Sequence, residues 1–327
     1  MSSPEIAGLA RENRMIVDAH CDTLSVIVDK GRLFHCETRE GHLDLPRLLR
    51  GGVKVQFFAA FVHPQFRGGY LRRTLTLVDA FYRRVASPPG VAVILGNNDL
   101  EHVLDGGPDR LGALLAVEGG EALEGSIAVL RTLYRLGLRC LGLTWNGRNE
   151  LADGVGEAGT GGGLTAFGRT VVAELNRLGI LVDLAHISER GFWDVLEISA
   201  APVIVSHANA RSRCDHPRNL TDAQIRVLAA RGGVIGITFV PGFVHAETPC
   251  LERVLDHIEH VVQLVGPDCV GLGSDFDGFP GRLPGLEHAG RLGNLAAGLE
   301  KRGFAEPEID KILGGNLLRV LKQVLTQ

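Results

Sequence analysis

An eight-stranded (β/α)8 TIM-type barrel is the fold this 327-residue sequence predicts, and three observations carry the expectation. Short apolar runs alternate with amphipathic segments along the whole chain. Histidine and carboxylate side chains fall where those runs end. The glycine fingerprint that an open doubly wound sheet places after its first strand is missing.

The eight runs cover residues 15–19, 53–62, 112–117, 139–144, 180–185, 202–206, 233–240 and 269–273. Runs of this kind read as strands buried on both faces, as in a parallel sheet. Helical patterns lie between several of them. Thr165 is placed to cap a helix over 166–178, which Gly179 ends. Thr221 opens a second that closes at Gly232 and Gly233, and a third spans 252–265 before Gly266 and Pro267. Eight such alternations fit a closed barrel. Residues 91–96 also read as a strand, expected outside the barrel in the long insertion between its second and third strands. No repeat or low-complexity linker divides the chain, so 1–327 is expected to form a single domain.

Composition narrows the function classes. Hydrophobic residues make up 45% and charged residues 22%, the mix of a soluble globular protein. A net charge of −4 gives no basic footprint, so nucleic acid is not an expected partner. No apolar run reaches the length of about 18 residues that a membrane span needs, so no membrane association is expected. The first fourteen residues lack the apolar core of a secretory signal, which makes the cytoplasm the expected address. The six cysteines are scattered without a CxxC pair and read as reduced thiols.

The chemistry concentrates at the strand ends. His20 and Asp22 close the first run, Glu118 the third, His186 the fifth, His207 the sixth and Asp275 the eighth. In a β/α barrel the carboxyl ends of the strands share one mouth, so residues far apart in sequence converge there. His20 and Asp22 are two apart and point to one side of an extended chain, a spacing that lets both grip one cation at about 2.0–2.2 Å. His186 and His207 offer the imidazole pair for a second cation. Glu118 directly follows its apolar run and is the natural bridge, whereas Glu121 suits the first turn of the next helix. Histidines and carboxylates without thiolates favour zinc, with manganese, cobalt or iron as alternatives. Two divalent ions about 3.5–4 Å apart would supply a bridging hydroxide near neutral pH. Asp275 is the candidate to take and return the proton. Asp277 is its rival, although Asp277-Gly278 has the composition of an ordinary turn. Residues 159–163 (GTGGG) lack the lysine and spacing of a phosphate loop and read as a flexible loop. His216 suits a solvated loop as well as the mouth.

At these residues the chain resembles the renal (membrane) dipeptidase family of the amidohydrolase superfamily. The matching stretches are DAHCDTL, VEGGEAL, LTAFGRTVVAELNRLGILVDLAHIS, APVIVSH, HPRN and GLGSDFDG, in order along nearly the whole chain. The resemblance implies one metal held by His20, Asp22 and Glu118 and a second by Glu118, His186 and His207. It implies Asp275 as the catalytic aspartate and Arg218 as the group contacting the terminal carboxylate of a small dipeptide. It further implies zinc dependence, a homodimer in many members, and tolerance of a D-residue at the substrate's C-terminal position. Two substrate-side positions depart from the pattern. Trp145 stands where many members have histidine, and Phe61 where they often have tyrosine. Two other readings remain open at this point. One is an amidohydrolase acting on another amide, lactam or ester. The other is a metal-stabilised binding protein without turnover.

Overall fold

The computed structural model describes residues 14–326. Nine parallel strands are present: β1 (Ile16–Asp18), β2 (Val53–Phe61), β3 (Val91–Val93), β4 (Leu111–Glu118), β5 (Leu138–Gly142), β6 (Leu181–Asp183), β7 (Ile204–Ala208), β8 (Val234–Ile237) and β9 (Val270–Leu272). Their order is β2-β1-β9-β8-β7-β6-β5-β4-β3, and a further β2–β4 pairing closes eight of them into a barrel. The strand β3 pairs only with the start of β4, through Val91–Leu111 to Val93–Ala113, and so lies outside the ring as the sequence predicts.

The helices arise where the local chemistry asks for them. The Thr165 side chain accepts from Gly168 N at the start of the helix Ala166–Leu178, and Gly179 ends it in the left-handed conformation at φ 70°. Thr221 and Gln224 form a reciprocal capping box that opens Asp222–Ala230. The third expected helix runs Leu251–Val265 and stops at Gly266. Glu121 falls in a short 3-10 turn, Gly120–Leu123, rather than in the helix that follows.

Two apolar clusters hold this architecture. One gathers Val17, Phe57, Leu114, Cys140, Leu181 and Val234 with Leu317 and Leu321 of the C-terminal helix Asn316–Val324. That helix seals the amino-terminal end of the barrel: Arg319 donates to the carbonyls of Gly232 and Asp268, just before β8 and β9. The other cluster packs the outer strand faces against the surrounding helices. The opposite, carboxyl-terminal mouth is thus left for polar side chains. All six cysteines are free. Among the described residues no helix is long and apolar enough to cross a membrane.

Candidate active site

Each predicted strand-end residue reaches the same mouth. His20 Nε2 lies 3.5 Å from Glu118 Oε2, 3.8 Å from Asp22 Oδ2 and 3.9 Å from Asp275 Oδ1. The other Glu118 oxygen, Oε1, lies 2.9 Å from His186 Nε2 and 3.7 Å from His207 Nε2. Glu118 therefore straddles the cluster, one oxygen facing His20 and the other facing the His186–His207 pair. All six side chains are buried.

The surroundings fix how these groups present themselves. His186 Nδ1 is 2.7 Å from Asn146 Oδ1, an acceptor that holds the proton on Nδ1 and leaves the Nε2 lone pair facing the cluster. Ser206 donates to Asp183 Oδ2 at 2.5 Å, so its oxygen accepts from His207 Nδ1 at 2.8 Å. His207 Nε2 is likewise left with its lone pair inward. A matching clasp joins β1 to the end of β9: Asp18 accepts from Ser274 N and Ser274 Oγ at 2.7 and 2.6 Å. In both clasps the serine directly precedes a cluster residue, His207 or Asp275. His186 and Asp275 adopt positive φ, 67° and 61°. Left-handed backbone costs a non-glycine residue of order 1–3 kcal/mol and persists where the surroundings dictate it.

Residues of this kind fit a cation. His20 Nε2, Asp22 Oδ1 and Glu118 Oε2 are buried without a hydrogen-bond partner. The ligand atoms of His20, Glu118 and His207 lie within 4.8 Å of one another, as do those of His20, Asp22 and Asp275. Asp275 thus stands as close to His20 as the expected ligand Asp22 does. Burial holds His186 down to about 4 and His207 well below the usual imidazole range, so both are neutral and able to ligate. Burial and the neighbouring Asp22 and Glu118 charges push Asp275 well above the ordinary carboxylate value, outweighing His20. Asp22 is raised as well, chiefly by burial, whereas His20 and His186 hold Glu118 well below the ordinary range, and a divalent cation would relieve the two raised aspartates.

Arg218 is buried on the loop after β7 and donates from Nη2 to the His207 carbonyl at 3.0 Å. Its Nε has no partner, and among the described residues it makes no ion pair. The acids nearest in sequence do not take it: Asp222 faces His260 at 2.8 Å, and Asp215 is exposed. Desolvation lowers the guanidinium to about 10. His216 supports this loop, its Nδ1 accepting from Arg218 N at 3.2 Å while its ring lies 4.3 Å from Phe243. Phe61 and Trp145 also reach the mouth, 5.4 Å apart between ring centroids, with Trp145 6.1 Å from the His186 ring.

Some parts escaped the sequence reading. Asp277 does lie in a turn, with Gly278 N donating to the Asp275 carbonyl at 3.0 Å, but its side chain is engaged as the sequence does not show. Its carboxylate is buried, ion-paired with Arg32, and accepts from Thr23 Oγ1 at 2.6 Å and His42 N at 2.9 Å. Those bonds remove it from contention as the proton carrier. Residues 159–163 form a loop, as the sequence predicts, with Gly159, Thr160 and Gly161 exposed and the Gly162 carbonyl accepting from Ser188 Oγ at 2.9 Å. Asn146, Asp183 and Ser206 were not anticipated, because a lone polar residue beside an apolar run carries no signal of its own.

A parallel barrel whose mouth gathers three imidazoles and three carboxylates defines a metal-dependent hydrolase. The chain belongs to the membrane dipeptidase family, peptidase family M19, whose family model matches residues 7–327, and by that membership it is a metallo-dipeptidase. It is 38% identical over 301 residues to dipeptidase verJ of Clonostachys rogersoniana, covering 88% of this chain and 76% of that one. It is 35% identical over 292 residues to dipeptidase 3 of Mus musculus, covering 87% of this chain and 58% of the mouse protein. Among solved structures it resembles a metallopeptidase from Rhodobacter sphaeroides bound to a phosphinate mimic of L-Ala-D-Ala. The TM-score is 0.87 at 28% identity, covering 96% of this chain and all of that one, 100%.

Proposed function

We propose that this metallo-dipeptidase works with two divalent cations, zinc by preference, and hydrolyses small dipeptides of the L-Xaa-D-Xaa type held by their terminal carboxylate at Arg218. The observation that carries the reading is the buried guanidinium of Arg218, unpaired and beside the cluster. The Glu118, Asp275 and Asp183 charges offset only part of the cost of burying it, and a substrate carboxylate supplies the hydrogen-bonded partner it lacks. His20, Asp22 and Glu118 would hold one cation, and Glu118, His186 and His207 the other. The histidine and carboxylate donor set supports zinc. The L-Ala-D-Ala mimic in the Rhodobacter neighbour supports the stereochemistry. A homodimer, which the family resemblance implies, belongs to the same proposal.

When bound, the cation pair supplies Lewis acidity at the scissile carbonyl and lowers the pKa of a water at the cluster. Arg218 fixes the dipeptide's C-terminal end by paired hydrogen bonds. Asp275 accepts a proton from the attacking water on its carboxylate and returns it to the leaving amine nitrogen.

Arg218 decides between this reading and hydrolysis of amides, lactams or esters without a free carboxylate. The wild-type protein should strongly prefer a dipeptide over its C-terminal amide. Arg218→Met should erase most of that preference by slowing only the acid. Charged hydrogen bonds are worth roughly 1.5–3 kcal/mol, a loss of about 10–150-fold in kcat/KM. A variant slowed equally on both substrates, or still fully discriminating, overturns the assignment.

A further inference from the structure

The two positions where this chain departs from the family pattern stand together. Phe61 closes β2 in register with Glu118, and Trp145 lies three residues beyond β5. Both are half-buried, with rings 5.4 Å apart, and exposed His63 extends the same surface 5.9 Å from Trp145. The Trp145 ring stands 6.1 Å from that of His186, so this aromatic wall borders the cluster directly. Phe61 has no polar atom, and tryptophan offers only an indole N–H donor.

The barrel order sets the Phe61 end of the wall opposite Arg218, while Trp145, after β5, stands two strands from β7. In the closed ring, β2 is four strands from β7 by way of β1, β9 and β8, and four by way of β4, β5 and β6. Phe61 at the end of β2 and Arg218 on the loop after β7 therefore face each other across the mouth, with Glu118 and the histidines between them. A dipeptide anchored by its carboxylate at Arg218 brings its single peptide bond over the cluster. Its N-terminal residue, one Cα step of about 3.8 Å further on, then meets the aromatic wall.

We infer that Phe61 and Trp145 are the specificity-determining wall for the substrate's N-terminal side chain and select bulky apolar residues there. The inference rests on the dipeptidase reading and on Arg218 as the carboxylate anchor. Rings of this size bury large apolar area and favour offset or edge contact with another ring. A glycine or a charged side chain leaves that surface uncovered or gives up its hydration. One added or missing methylene in an apolar pocket alters kcat/KM by about 10–200-fold.

The test uses the metal-loaded enzyme and dipeptides with N-terminal Gly, Leu, Phe or Asp. The C-terminal residue is held as L-Ala in one series and D-Ala in the other. Leu and Phe should exceed Gly and Asp by on the order of 10–100-fold in kcat/KM. Trp145→Ala and Phe61→Ala should each bring the Leu:Gly ratio to within about threefold of unity. A readout without turnover comes from Trp193→Phe, which leaves Trp145 as the only tryptophan. Phosphinate mimics with an N-terminal Phe side chain should change its fluorescence and bind more tightly than the Gly analogue. Cleavage without N-terminal preference, or a preference that survives both substitutions, overturns the wall while leaving the dipeptidase reading intact. Failure to cleave any of the dipeptides overturns both.

Discussion

Single residues carry two separable jobs at this mouth, holding a cation and holding the residues that hold it. Ser206 belongs to the second. It accepts from His207 Nδ1 and donates to Asp183, and so fixes which imidazole nitrogen faces the cluster. Partners of this kind are typically worth 10–100-fold in metal affinity. Ser206→Ala should lose about that much, read by competition with a chromogenic chelator, and Ser206→Thr should recover part of it. Unchanged affinity in the alanine variant would leave Ser206 as a strand clasp only. Asp275 is different in kind. Asp275→Asn should retain bound metal and fold while kcat falls by about 10²–10⁴. Near-normal turnover would remove it from the proton path. The six cluster residues could be read from the sequence because each ends an apolar run. Asp277 could not, since its partner Arg32 lies 245 residues away and nothing local marks the pair.

At the scale of elements, the helix boundaries were the most legible part, since Thr165, Thr221, Gly179 and Gly266 act within a turn of themselves. Strand ends were less so. The apolar run 233–240 yields only Val234–Ile237 as strand, yet Phe239 beyond it is fully buried. Apolar patterning reports burial, and the chain stays buried after it leaves the ladder. Contacts between helices were not legible at all. Glu174 in the helix Ala166–Leu178 accepts from Arg177 at 2.7 and 2.8 Å and from Arg131 of the helix Ile127–Arg135 at 2.6 Å. Those guanidinium bonds hold Glu174 down to about 2, below the value of about 4.3 expected in the unfolded chain. A depressed folded value means the clamp contributes fully above about pH 4.3 and is lost as pH falls towards 2. In metal-free protein, Glu174→Gln should therefore lower Tm above that window and converge with wild type at its acid end. A constant Tm offset across that range would mean that the charge contributes nothing.

The whole molecule places its chemistry at the barrel end that the C-terminal helix does not seal. One end of the barrel is closed by an apolar helix, while the other gathers ionisable groups from β1, β4, β6, β7 and β9 that are buried at a cost in free energy. The orphaned atoms of His20, Asp22, Glu118 and Arg218 and the left-handed backbone at His186, Asp275 and Asp277 concentrate strain at that end. A cation that binds only the folded state should relieve it and tie the strand ends together. Free metal at 1,000 times its Kd stabilises by about 4.1 kcal/mol, and in a chain of this size each kcal/mol moves Tm by roughly 1.5 °C. Chelation should thus lower Tm by about 6 °C, reversibly on adding zinc. The variants then divide the effect. Glu118→Ala removes the carboxylate that faces both histidine sets, so it should abolish most of the metal-dependent gain and weaken retention of both ions. His186→Ala should lose one ion and keep the other, leaving part of the gain. Elemental analysis after gel filtration, read beside the melting curves, checks both counts. Two ions retained in both variants, or a wild-type Tm indifferent to chelator, would sink the two-cation arrangement and leave the cluster to be explained by its hydrogen bonds alone.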